Sequence, residues 1–403
     1  MSFVTWKIER TPFNVSSKTW SSTSTTLTEY YDPVVIVNLG EARDTFNFKV
    51  CNFNDNFSNY FQPNDKITIS RVINSTSTAS SDIVMVGSVQ NTPEEEDGMR
   101  TTVRVEGANF SETILGGIVF FDPRGMTIPT AIQAALNAIG VYNSNFTVTW
   151  NGSNPTTKSN GSAFPTVNEK WFNKPIKAFI EKYSVSDITG DGNYYYYVDK
   201  NNTLVWRQKS NSVTWTFNTA SSPYKSLRIN KDLKEVKNWV IIKGGTDPDG
   251  SPIQTRVQNM ESISKHGLKP YILPSISKNA EMLVKEDKDR FGVTNMSSAS
   301  YPLTPAWNGG SSVANYAAYV TALRVYVKSQ CDLEGQAFLN ARQYGKLKVD
   351  LEFSPGGVSW GLGDLVECTI PSLSSSAKNL RVTDIQYTTE ADTYTLVEDI
   401  GSI

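Results

Sequence analysis

The chain has 403 residues, enough for two or three domains that each bury a core, and Lys plus Arg number 38 against 40 for Asp plus Glu. That balance offers no broad basic field, so sequence-specific nucleic-acid binding is not expected. No stretch approaches the roughly eighteen apolar residues of a spanning helix, and residues 1–10 lack the charged start, apolar run and cleavage site of a secretory signal, so neither stable membrane insertion nor export by that route is expected.

Through the first third, apolar and polar residues alternate between Ser/Thr/Asn/Gly clusters, the period of half-buried strands. Strands are expected at Val34–Leu39, Thr45–Phe53, Lys66–Val72, Ile83–Val89 and Thr101–Gly107. Pro63, Asn64 and Asp65 form the turn that launches the third, and Thr92–Gly98, with Glu94, Glu95 and Glu96 in a row, reads as a solvated hairpin tip. Short strands with little helix imply a small antiparallel barrel or sandwich.

The pattern changes after Asp122 and Pro123. Ile128, Ile132, Ala135, Leu136 and Ile139 make a helical stripe, and a second helix is expected over Asn173–Tyr183, with Asn151–Gly161 a loop between them. Tyr194–Val198 and Thr203–Gln208 around Asp199–Asn202 read as a hairpin, to which Val213–Phe217 could add a third strand. Sheet alternation divides the tyrosine run into two pairs on opposite faces rather than one ligand platform. Beyond Leu227 come a strand at Asn238–Gly244, a turn at Asp247–Gly250, helices at Ser275–Arg290 and Val313–Lys328, and between them an extended loop, Gly292–Gly310. Strands return at Lys346–Phe353, Leu365–Ile370, Leu380–Tyr387 and Thr393–Glu398. The expected architecture is mainly β with an α+β insertion: a first barrel over 1–122, a helix-containing middle domain over 123–225, and a second barrel over 226–403 interrupted by a helical and loop insertion at about 260–345.

An internal repeat supports two related barrels. Phe61–Ser70 is a turn ending in Asp65 followed by an alternating strand and two further strands. Gly361–Ile370 repeats the turn with Asp364, the strand and its two successors. Asn or Gly before Asp makes a tight turn, and Asp accepts from the backbone that follows it.

Residues with catalytic potential are few. His266 is the sole histidine, with no nucleophile elbow or Cys/His signature beside it. Asp187, Asp191, Gly192 and Asn193 resemble a calcium loop, but its twelfth position is Val198 where a bidentate acid is required, so a turn is expected. Gly116–Gly117 and Gly244–Gly245 lack the spacing of a phosphate loop. Cys51, Cys331 and Cys368 form no Cys-x-x-Cys pair and read as small buried hydrophobes of a reducing compartment. No catalytic residue, metal or cofactor is expected. Nine Trp and eighteen Tyr leave a carbohydrate-binding protein or glycoside hydrolase as the rival of another class.

In several places the chain resembles the baseplate or tail hub proteins of contractile-tailed phages and the hub portion of type VI secretion spikes. Asn64–Ile69 with Ile83–Gly87 is similar to that family's early turn and strand pair, and Val103–Phe110 to the end of its first barrel. Asp199–Trp206 is similar to its middle-domain hairpin, and Asp232–Ile241 to the start of its second barrel. Glu261–Gly267 with Ser277–Arg290 resembles its helix-bearing segment, and Gly361–Ile370 with the last two strands its C-terminal pattern. The resemblance implies a homotrimer whose barrels form a six-fold-like ring and part of a central channel. Tail tube, central spike, other baseplate proteins and the tape measure are its implied partners, in a virion assembled in the host cytoplasm. A distal tail or tube-initiating protein is the alternative within the same class. The stretch Gly292–Gly310 departs from the pattern, and the resemblance covers no lysozyme-like domain, so cell-wall cleavage would fall to a partner.

Overall fold

The computed structural model describes every residue except 1–2, 41–42, 53–54, 76–77, 98–99, 112–114, 141–147, 235, 274–275, 277–278, 343–345, 373–376 and 399–403. Phe53, Gly98, Ser275 and Ser277, which the sequence reading placed in or beside elements, lie outside the described residues.

In chain order, the first strands are β1 (Phe3–Thr11), the two-residue strands β2 (Phe13–Asn14), β3 (Thr19–Trp20) and β4 (Thr25–Thr26), then β5 (Tyr31–Asn38) and β6 (Thr45–Cys51). There follow β7 (Lys66–Ser75), β8 (Thr78–Asn91), β9 (Glu94–Asp97) and β10 (Arg100–Asn109). The alternation seen in the sequence is what buries them: Phe46, Phe48 and Val50 point inward from β6 while their neighbours stay half-exposed. Trp6 and Ile8 of β1 and Ile67 and Ile69 of β7 enter the same core. At about 1.5–3 kcal/mol for each fully buried large apolar side chain, this cluster is the chief stabiliser of the first barrel.

The middle segment contains β11 (Ile118–Phe121), α1 (Ile128–Gly140), β12 (Thr149–Trp150), β13 (Trp171–Pro175), α2 (Ile176–Lys182), the helical turn α3 (Ser186–Thr189), β14 (Tyr194–Val198) and β15 (Thr203–Gln208). Its own core joins Ile128, Ile132, Phe179, Ile180, Tyr194 and Trp206. The tyrosine run does alternate: Tyr194 and Tyr196 are buried, and the Tyr194 ring stacks on Trp206 at 3.9 Å between centroids. Tyr195 and Tyr197 stack on each other on the opposite face.

The chain continues through β16 (Trp215–Asn218), β17 (Ser226–Asp232), β18 (Trp239–Thr246), β19 (Pro252–Gln258), α4 (Met260–His266), β20 (Pro270–Leu273), α5 (Ala280–Phe291) and α6 (Tyr316–Arg342). It ends with β21 (Lys346–Phe353), β22 (Leu365–Thr369), β23 (Lys378–Tyr387) and β24 (Asp392–Glu398).

Two compact units result: residues 1–229 with 348–402, and residues 230–347. In the smaller unit, β19-β18-β20 form a three-stranded sheet whose Val240, Ile242 and Ile253 share a core with Leu283 of α5 and Leu323 and Val327 of α6. Asn279 caps α5 by accepting from the Met282 amide, and Gly292 ends it at φ 67°. The stretch expected to be an extended loop is packed. Its Met296 and Leu303 belong to this core, with Val313 just beyond it bridged to Leu303, and Trp307 Nε1 donates to the buried Asp287 carboxylate at 2.7 Å, beside the Tyr319 hydroxyl at 2.8 Å.

The larger unit is organised by one 14-stranded sheet. The strands β1-β7-β8-β10-β6-β5 are one run of neighbours and β16-β22-β23-β24-β21-β17 another; they meet where β5 pairs with β23. Taken along the chain, the six members of each run occur in the same order. One pairing differs in sense, since β1 is antiparallel to β7 and β16 parallel to β22. The fold is therefore mainly β, two related small barrels with a helix-containing middle domain.

Four further expectations need correction. Trp215–Asn218 is not the third strand of the tyrosine hairpin: it pairs with β22, and the third strand is β12, parallel to β15. Glu94–Asp97 is not a loop tip but a strand on β10, where backbone pairing and the Glu95–Lys49 ion pair at 2.9 Å hold it. The Trp239 strand, read as the start of the second barrel, belongs to the smaller unit, because its apolar face meets α6 and α5. Asn173–Pro175 is strand rather than helix, and α2 begins only after Pro175.

Candidate functional site

The two turns singled out in the sequence are built alike. At the first, the Asp65 amide donates to the Gln62 carbonyl, the Asn64 amide to Val89, and the Val89 amide back to Asp65. At the second, Asp364 donates to Gly361, Gly363 to Val382, and Val382 to Asp364. The residue before each Asp takes positive φ, 71° at Asn64 and 84° at Gly363, which is why Asn or Gly stands there. Each carboxylate closes its own turn: Asp65 Oδ2 accepts from the Gln62 amide at 2.9 Å and Asp364 Oδ2 from the Gly361 amide at 2.8 Å.

Their surroundings differ. Asp65 is fully buried and also accepts from Arg10 Nε at 2.7 Å and the Phe13 amide at 2.8 Å, with the Arg10 guanidinium lying over the Tyr60 ring. Asp364 is half-buried and takes the indole N–H of Trp215 at 2.8 Å instead.

Beyond each turn the ladders share an irregularity. The β8·β10 register shifts between Val89↔Gly107 and Asn91↔Glu106, and β23·β24 shifts between Val382↔Leu396 and Asp384↔Thr395. Such bulges end one pairing and re-aim the strand. Past the second bulge, β23 leaves β22 and takes β5 as neighbour, pairing Asp384↔Asn38, Ile385↔Val37, Gln386↔Ile36 and Tyr387↔Val35. The Leu39 amide adds a bond to the Thr383 carbonyl.

That junction is locked by a buried ion pair. Arg71 Nη2 of β7 reaches Asp392 Oδ1 at 2.8 Å, with side chains 5% and 1% exposed. Asp392 accepts from the Gly356 amide as well, and the guanidinium lies over Tyr387 and Trp6. Burial raises the Asp392 carboxyl, and the adjacent guanidinium offsets part of that rise.

The remaining candidates are absorbed locally. His266 is the last residue of α4. Asp191 accepts from Ser159 and from the Tyr194 hydroxyl, so it acts as a loop clamp, and Asp187 lies in α3. Among the described residues no group of three or more His, Cys, Asp and Glu is placed to hold a metal. Cys331 and Cys368 are buried and Cys51 half-buried, all three free thiols. Burial pushes the Cys331 thiol up to about 11 and the Cys368 thiol to about 12, against the thiolate form.

In three dimensions the chain is similar to the tail protein from Neisseria meningitidis, at 9% identity and a TM-score of 0.57 over 99% of this chain and 98% of that one. It is also similar to the 43 kDa tail protein of prophage MuSo2 from Shewanella oneidensis, at 11% identity and a TM-score of 0.55 over 98% and 97%. No protein-family model matches the chain, and no curated protein matches it in sequence. Over essentially its full length the chain shares its fold with these two tail proteins.

Proposed function

We propose that this chain is a structural hub of a phage-type tail baseplate, a homotrimer in which each subunit contributes two barrels to one ring. The ring adapts a six-fold tail tube to a three-fold central spike and forms part of the channel. The observation that carries the reading is the edge-to-edge union of two like strand runs in one sheet, so that one chain presents two similar docking surfaces. Three copies then present six, and cyclic closure leaves no dangling interface. Tube, spike, other baseplate proteins and the tape measure are the partners this role requires, and the virion tail, built in the host cytoplasm, is its place.

For this role we keep a first barrel, a helix-containing middle domain and a second barrel, with Asp65 and Asp364 as equivalent turns, but the second barrel starts at β16, Trp215, rather than at 226. The interruption of the second barrel is redrawn as 230–347. Catalysis is not part of the role, and the purified chain is expected to leave peptidoglycan and common glycosides intact. Native mass measurement with low-resolution particle images tests the hub reading: a three-copy ring with a central opening is expected. A stable monomer at working concentration, or a ring of six copies, overturns it.

A further inference from the structure

Among the described residues the β5·β23 junction is made once, and both of its halves recur without a strand partner. Among the described residues the counterpart of β5 in the second run, β17, has β21 on one side and no strand on the other. The counterpart of β23 is β8 continued by β9. There the Asp65 turn ends the cover given by β7, as the Asp364 turn ends that of β22, and the edge at residues 90–94 has no strand pairing on that side. We propose that the β17 edge of one copy pairs antiparallel with the Gln90–Glu94 edge of the next, repeating the internal junction between subunits. The inference rests on the hub reading and names its contact.

The register follows from the internal pair. The shared turn and bulge place Val89 where Val382 stands, hence Gln90, Thr92 and Glu94 where Thr383, Ile385 and Tyr387 face β5. On the other side, the Lys225 amide bonds the Glu352 carbonyl where Tyr31 pairs with Lys49. Leu227 and Ile229 are half-buried between exposed neighbours, as Val35 is buried in β5. Ile229 then meets Glu94, Lys231 meets Thr92, and Arg228 stands opposite Glu95.

Two further observations favour this occupant. The facing segments are opposite in charge, Glu94, Glu95 and Glu96 against Arg228 and Lys231, which suits a second copy of this chain. The proline in the edge also does not block it. Pro93 gives its carbonyl to the Arg104 amide, so its missing N–H faces β10, whereas a proline that protected the edge would stand at 92 or 94. The outward Thr92 amide is bonded only locally, to Asn91 Oδ1 at 3.1 Å.

Arg228 and Glu95 fall at a non-hydrogen-bonded pair, where antiparallel Cα atoms lie about 4.5 Å apart, within disulfide range. The test is the full chain carrying Arg228→Cys and Glu95→Cys, oxidised mildly beside each single variant and the unaltered chain, with native mass read in parallel. Covalent species of up to three chains, formed only by the double variant, are expected. A second variant, Thr92→Pro, removes an outward donor and is expected to reduce the trimer to monomer with its circular dichroism unchanged. A three-copy assembly that neither cross-links nor responds to Thr92→Pro overturns the edge pairing and leaves the hub reading standing. A monomeric unaltered chain overturns both, and cross-linked ladders beyond three chains uphold the pairing while overturning the trimer.

Discussion

The two turn aspartates show how one motif can carry unequal energies. Removing the Asp65 carboxylate strands the mostly buried Arg10 guanidinium and two backbone donors, a loss of about 3–5 kcal/mol by the usual cost of breaking a buried pair. Asp364→Ala removes an acceptor from one amide and one indole at a half-buried site, about 1 kcal/mol. Thermal melts of the two alanine variants are expected to rank Asp65→Ala well below Asp364→Ala, and equal losses would refute that ranking. A third carboxylate sets a pH dependence. Asp44 accepts from the Asn38 amide and from Asn109 Nδ2, each at 2.7 Å, yet burial outweighs both bonds and lifts its pKa to about 7. Because the folded value lies above the ordinary 3.8, the folded chain holds the proton that the unfolded chain releases. The contribution is full below about pH 4 and fades as pH rises to 7. Asp44→Asn is expected to flatten the fall in melting temperature between pH 5 and pH 7.5, and an unchanged slope in the variant would exclude Asp44 as its source.

At the scale of elements, what could be read in the sequence was the alternation, and what could not was the partner. The turn–strand patterns at Asp65 and Asp364 were legible because Asn-Asp and Gly-Asp encode them locally. The strand β1 was missed although Val4, Trp6 and Ile8 alternate with Thr5, Lys7 and Glu9. Trp215–Asn218 and Trp239–Thr246 were legible as strands but not as members of their sheets, since nothing local says which edge a strand will join. The last helix, expected over Val313–Lys328, runs over Tyr316–Arg342 and passes through Gly335; in the fold that glycine lets the helix press on β18, where an added Cβ would come within 2.4 Å of Ile242. The same masking hides the kinship of the barrels. At matched cross-strand positions one has Phe46 opposite Gly107 and the other Val349 opposite Leu396, so similar space is filled by different pairs. A Cβ at Gly107 would meet both the Phe46 ring and the Ser88 carbonyl, at 2.2 and 2.3 Å. Gly107→Ala is therefore expected to destabilise by about 1–3 kcal/mol or more. Phe46→Val in the same chain should restore only part of it, because the carbonyl stays in the way; full recovery in a double-mutant cycle would show that the ring alone sets the limit.

For the whole molecule, the topology makes residues 230–347 an excursion between two neighbouring strands. β17 and β21 are adjacent in the large sheet, and the backbone bond from Lys225 to Glu352 closes the end of that pair away from the excursion. The smaller unit carries its own sheet, its own helices and a separate apolar core, so neither core needs the other to bury its apolar surface. A chain in which 233–345 is replaced by a short Asn-Gly turn keeps β17 and β21 whole and closes a far smaller loop, whose entropic cost is lower by about (3/2)RT times the logarithm of the length ratio. It is expected to fold with a strand-dominated circular dichroism spectrum and one cooperative transition. Residues 233–345 expressed alone should melt separately with the helical signal of α5 and α6. Aggregation or loss of cooperativity in the shortened chain, with its strand edges otherwise unaltered, would mean that the barrel depends on the excursion, and the division into two self-sufficient units would be wrong.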